Sequence, residues 1–138
     1  MPGAMMQRVA TSGWRPPAEA DVRAFELRAR AFPSAGRLGY RREDVDAFVA
    51  RAIAALRAAI ARNETLRSGS TPPTGWWGPS RDEPLDIEGA VFSVARFRRG
   101  YDMRSVDELL DAIGDALHAL DAEARALART RRADEGSR

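Results

Sequence analysis

The chain has 138 residues, with 22 Arg, no Lys and 20 Asp plus Glu, so its formal net charge is only +2. A nearly neutral chain has no bulk attraction for a polyanion, and any anionic partner must be met by a local cluster of Arg. Cys is absent and His118 is the single His, which excludes disulfide frameworks, thiolate metal sites and Cys nucleophiles and leaves nothing for a His-rich metal centre or a His-dependent triad. No window approaches the roughly 18 apolar residues of a spanning helix, and the opening MPGAMMQRVATSGW lacks the unbroken apolar core of a secretory signal. The expectation is a cytoplasmic, non-enzymatic protein that needs neither metal nor cofactor.

In chain order, residues 1–24 read as a flexible arm carrying Trp14, with the first 12 residues frayed. Residues 25–66 form a first unit, a loop ending in Gly39-Tyr40 followed by a helix from about Arg42 to Leu66. Its apolar seam is Val45, Val49, Ala52, Leu56 and Ala59, with Asn63 at the next seam position. Phe48, Ile53 and Ile60 widen the stripe into a flank that a single partner helix cannot cover. Asn63 would favour another Asn across the seam, as in a homodimer.

Residues 67–84 have the Pro, Gly and Ser density of a linker. Fully extended, a 20-residue connection reaches about 65 Å, enough to return along a preceding helix of about 38 Å. The second unit, residues 85–132, contains a loop ending in Gly100-Tyr101 and a helix from about Met103 to Arg132. Asp102 reads as its N-cap, and Ser105-x-x-Glu108 as a capping box. Its seam of Val106, Leu110, Ile113, Leu117, Leu120 and Ala124 keeps a strict 3.5-residue spacing. Gly114 lies off the seam. Residues 133–138 read as a frayed tail.

The two units are copies. At an offset of 61, Arg37, Gly39, Tyr40, Val45 and Asp46 fall on Arg98, Gly100, Tyr101, Val106 and Asp107. Both contain Gly-Tyr-x4-Val-Asp, the glycine reading as a source of backbone freedom and the tyrosine as a ring packed on the helix start. Phe97 stands among Arg96, Arg98 and Arg99. By residue type this is either a wedge, its ring in the acyl boundary and its Arg side chains on anionic headgroups, or a ring packed on its own domain. Trp14, Trp76 and Trp77 read either as packing residues of the arms or as anchors for a peptide or an interface. The Arg-rich end of the second helix offers charge to RNA or DNA, but without interleaved aromatics this is a minor reading, and no nucleic-acid partner is expected.

The run Phe92-Ser-Val-Ala-Arg-Phe97-Arg98-Arg99-Gly100-Tyr101-Asp102-x3-Val106-Asp107-x-Leu109-Leu110 closely resembles the signature of the DivIVA family of bacterial division and polar-growth scaffolds. The first copy, Phe32-Pro-Ser-Ala-Gly36-Arg37-Leu38-Gly39-Tyr40-x4-Val45-Asp46, resembles the variant in tandem members; it has Leu38 in place of the loop aromatic and Arg41 in place of the motif Asp. The resemblance implies an all-α fold in which two loop-plus-long-helix repeats pair as a parallel helical coiled coil, here a pseudo-dimer within one chain. Helix pairing would fall to Val45, Val49, Leu56, Val106, Leu110, Ile113, Leu117 and Leu120, and the motif turns to Gly39, Tyr40, Gly100, Tyr101 and Asp102.

The resemblance also implies membrane contact through Phe97 and Arg98, flanked by Arg96 and Arg99. Expected partners are an anionic phospholipid surface at the inner face of the plasma membrane, DivIVA-family or other division proteins, and further copies of the chain. The function implied is a non-enzymatic scaffold or adaptor of division or polar growth. The alternative is a soluble coiled-coil module that joins a longer family partner without touching lipid.

Overall fold

The computed structural model describes residues 15–36, 38–69, 87, 89–90, 92, 94–95 and 100–136, with 94, 95 and 135 as backbone only. The chain is mostly helical. Among the described residues, three helices, α1 (Glu19–Arg30), α2 (Arg42–Arg67) and α3 (Met103–Gly136), are accompanied by two-residue strands β1 (Gly39–Tyr40) and β2 (Val94–Ala95). The expected linker is described only through Gly69, and Trp14, Trp76 and Trp77 lie outside the described residues.

Helix α1 crosses the expected boundary between arm and first repeat. Its start is built by Asp21, whose carboxylate accepts the Ala18 N–H at 2.8 Å and two guanidinium N–H groups of Arg15 at 2.9 and 3.1 Å. The Ala18 donor first, and Arg15 after it, hold Asp21 below its ordinary range. Spacing puts Val22, Phe25 and Ala29 on one face, and all three join the core, Val22 fully buried. Glu19 and Glu26 both pair with Arg57 of α2, while the last turn of α1 lines a groove with Asp46, Val49 and Tyr101. Thus α1 runs opposite to α2 along its first half.

Helices α2 and α3 run side by side in the same direction. Tyr40, just before α2, meets Asp107 in the first turns of α3, and Tyr101, just before α3, meets Asp46 of α2. Farther along, Asn63 of α2 reaches Leu120 of α3. The starts differ as the sequence suggests. Asp102 accepts the Ser105 N–H at 3.1 Å and the Ser105 hydroxyl at 2.8 Å, a side-chain cap that α2 lacks because Arg41 stands in its place. Ser105 is therefore inside the cap of Asp102 and does not begin a box of its own. The end of α3 runs past the expected tail boundary to Gly136.

Val45, Val49, Ala52, Leu56, Ala59, Val106, Leu110, Ile113 and Leu120 form one buried cluster, with Leu117 half-buried at its edge. Small seam residues of α2 match large ones of α3 at the 61-residue offset, Ala52 with Ile113 and Ala59 with Leu120, and all four are buried. Leu109 is also fully buried. The wide flank expected on α2 is largely covered. Ile53 is buried beside α1, and the Phe48 ring packs edge-on against Phe92 at 5.5 Å. Across the bundle, Ile87 lies over Gly114, at a distance that leaves room for a Cβ there.

Candidate functional site: two crossed glycine–tyrosine loops

The two Gly-Tyr loops cross at the head of the helix pair, and their main-chain, tyrosine and ring contacts are reciprocal. Tyr40 donates its backbone N–H to the Tyr101 carbonyl at 3.1 Å, and Tyr101 donates to the Tyr40 carbonyl at 2.9 Å. The Tyr40 hydroxyl donates to Asp107 Oδ1 at 3.0 Å, and the Tyr101 hydroxyl to Asp46 Oδ1 at 2.8 Å. Ring contacts follow the same exchange: Phe32 packs on Tyr101 and Phe92 on Tyr40, both with centroids 5.1 Å apart. Strand β1 pairs antiparallel with β2, Tyr40 opposite Val94, while Ser34 bridges to Tyr101.

These pairs date the two loops against each other. Phe32 and Ser34 correspond to Phe92 and Val94 at an offset of 60, whereas Gly39 corresponds to Gly100 at 61. The second loop is one residue longer, within the stretch that carries Phe97.

The glycines are there for closeness, not for backbone angle. Among the described residues only Gly69 has a positive φ. A Cβ on Gly39 would sit 2.6 Å from the Tyr101 carbonyl oxygen, and one on Gly100 would sit 2.6 Å from that of Tyr40. The two main chains touch there, which accounts for both glycines. Gly-Tyr-x4-Val-Asp therefore has a contact for every fixed residue: Gly for the crossing, Tyr as donor, Val in the seam, Asp as acceptor from the other repeat's Tyr.

Burial, and then the hydrogen bond to a carboxylate, push both phenols above their ordinary value: Asp107 acts on Tyr40 and Asp46 on Tyr101. Arg42 lies 5.3 Å over the Tyr101 ring and donates to Ser34 Oγ at 2.8 Å, tying the first loop to α2.

Arg96, Phe97, Arg98 and Arg99, with Arg37 of the first loop, lie outside the described residues. The anchors on either side of that stretch, Ala95 and Gly100, both meet Gly39. Leu38, at the matching end of the first loop, is 55 % exposed. Arg30, Arg41 and Arg42 are exposed nearby in sequence.

Far from the loops, the seam carries a polar layer of which the sequence disclosed only Asn63. Asn63 is fully buried and donates to the Leu120 carbonyl at 2.9 Å and to Glu123 Oε1 at 3.4 Å. Arg62, also buried, donates to Asn63 Oδ1 at 3.0 Å, to the Leu120 carbonyl at 3.3 Å and to Asp121 Oδ1 at 3.1 Å. Arg67 pairs with Glu123. An Asn partner across the seam is not needed, since a main-chain carbonyl of α3 takes that place. Among the described residues no group of His, Asp and Glu is arranged to hold a metal ion, and no helix is long and apolar enough to cross a membrane. Comparisons with protein-family models, with curated proteins and with solved structures give no match to this chain.

Proposed function

We propose that the chain is a non-enzymatic scaffold or adaptor of the DivIVA type, built as a parallel coiled-coil pseudo-dimer of two repeats. Its loop end would rest on the anionic inner face of a bacterial plasma membrane at division or growth zones, and its helices would serve partner proteins. The reading is supported by the reciprocal use of the motif: the residues that carry the resemblance, Gly, Tyr, Val and Asp, are the ones that join the two loops.

Lipid contact falls to Phe97 with Arg96, Arg98 and Arg99. One ring in the acyl boundary contributes about 2 kcal/mol and each Arg about 1 kcal/mol near anionic lipid. A loop of this kind therefore holds a vesicle with a dissociation constant of about 0.2 mM, and stable localisation requires several copies or a second partner.

Co-sedimentation with phosphatidylglycerol vesicles tests this. The parent is expected to bind weakly, more tightly at low salt, and not to bind phosphatidylcholine. Phe97→Ala should reduce binding by roughly 30-fold, the equivalent of one buried ring, and Leu38→Ala should reduce it much less. A parent that ignores anionic vesicles at every salt concentration, or a Phe97→Ala chain that binds like the parent, would favour the soluble-module alternative.

A further inference from the structure

The crossed loops cannot tell a repeat of the same chain from a repeat of another. The Tyr–Asp, Gly–Gly and Phe–Tyr contacts there exchange like for like, whereas the stacking of Arg42 on Tyr101 belongs to one side, since Met103 stands at the matching position of the second repeat. Two first repeats from two chains, or two second repeats, would make the same exchanged contacts. The seam near the loops is also permissive, since Val45, Val49, Val106 and Leu110 are all apolar.

The distal layer is different. At the offset of 61, Arg62 corresponds to Glu123, Asn63 to Ala124, Arg67 to Ala128 and Asp121 to Ile60. If α2 paired with α2 of a second copy, Arg67 would meet Arg62 where it now meets Glu123. Arg62 would also find Ile60 in place of Asp121. If α3 paired with α3, Asp121 would meet Glu123 where it now meets Arg62. Each like-with-like pairing thus sets equal charges together in or beside a buried layer and removes an ion partner from a buried or half-buried group, both unfavourable. Only α2 against α3 satisfies the layer, and among the described residues no buried side-chain nitrogen or oxygen lacks a hydrogen-bond partner.

We infer that Arg62, Asn63 and Arg67 on α2, with Asp121 and Glu123 on α3, select the pairing partner, making α3 and not a second α2 the mate of α2. Loop closure within one chain then favours the internal α3 over that of another copy at ordinary concentrations. A polar residue at one seam position that fixes the pairing state is a known use of such groups in coiled coils. The inference rests on the paired-repeat reading and is independent of lipid contact.

The test uses the full chain with spin labels at Ala47 and Glu108, exposed positions that match at the 61-residue offset, diluted into excess unlabelled chain, and sedimentation equilibrium in parallel. The parent is expected to sediment as one chain of 15.1 kDa and to keep a short label distance on dilution. Asp121→Arg with Glu123→Arg sets Arg against Arg in the internal pairing and in both like-with-like pairings, so it should remove most of the short distance and lower the thermal midpoint without creating a stable two-chain species. Adding Arg62→Asp and Arg67→Glu should restore the short distance and the midpoint.

A milder variant, Arg62→Leu with Asn63→Leu, makes the seam apolar and should stay helical while gaining a concentration-dependent dimer. The inference is overturned if the charge-reversed variant keeps the parent's distance and the Leu variant remains a single chain. A parent with a long label distance would overturn the pairing reading and this inference with it. A short parent distance with unresponsive variants would overturn the inference alone.

Discussion

Gly39→Ala and Gly100→Ala are each expected to lower the thermal midpoint by roughly 10 °C, the scale of about 3 kcal/mol of overpacking in a chain of this length. The reason is local. The added methyl on Gly39 meets the Tyr101 carbonyl oxygen at 2.6 Å and the Ala35 Cβ at 2.7 Å. The oxygen is main chain, accepts the Tyr40 N–H, and cannot turn aside without breaking the reciprocal pair. The clash on Gly100 is the mirror of this, against Tyr40 and Gly39, so both variants should also expose the two tyrosines, a change readable in near-UV circular dichroism.

Gly114→Ala is the contrasting control. Its Cβ would lie 3.6 Å from Ile87 Cγ2, an ordinary contact. Replacing a mid-helix glycine gains about 1 kcal/mol of helix propensity, and the midpoint should rise. If Gly39→Ala proves as benign as Gly114→Ala, the loops do not cross as described.

Leu56→Ala should cost about 2–5 kcal/mol, the second large effect. Leu56 is fully buried at the middle of the α2–α3 seam, where removal of the side chain leaves a cavity that neighbours on both helices line. Urea unfolding should show the midpoint falling with little change in slope. Leu117→Ala, at the corresponding position of α3, should cost less because Leu117 is only half-buried. Equal losses at the two sites would contradict the observed asymmetry of the seam.

The two long helices were legible because their signals are periodic and local. Heptad spacing marks α2 and α3, and Asp102 announces the start of α3. The presence of α1 was missed although its signs stand in the sequence: Pro16 and Pro17 precede Glu19 and Asp21, and Val22, Phe25 and Ala29 recur on one face. A short helix with Leu27 and several Arg residues on its outer side gives a weak pattern, and its burial depends on a groove that exists only once α2 and α3 have paired.

Within the site, the motif residues were visible as a repeat, but not their relation. That Tyr40 serves Asp107 and Tyr101 serves Asp46 is information between copies, which no window along the chain contains. The glycines were read as conformational and proved to be steric. Arg62 carried no signal at all, because a buried Arg becomes intelligible only when the Leu120 carbonyl and Asp121 are placed opposite it.

The central claim is that two repeats of one chain lie side by side in the same direction. Dipolar spectroscopy on the parent chain labelled at Ala47 and Glu108 tests it most directly. Packed helices are about 8–10 Å apart, and with label reach the distance should fall near 20–25 Å and survive dilution with unlabelled chain. In the opposite orientation, a helix of 26 residues would carry the two sites apart by most of its length, about 39 Å. A principal distance beyond about 35 Å, or a short distance that vanishes on dilution, would contradict the account.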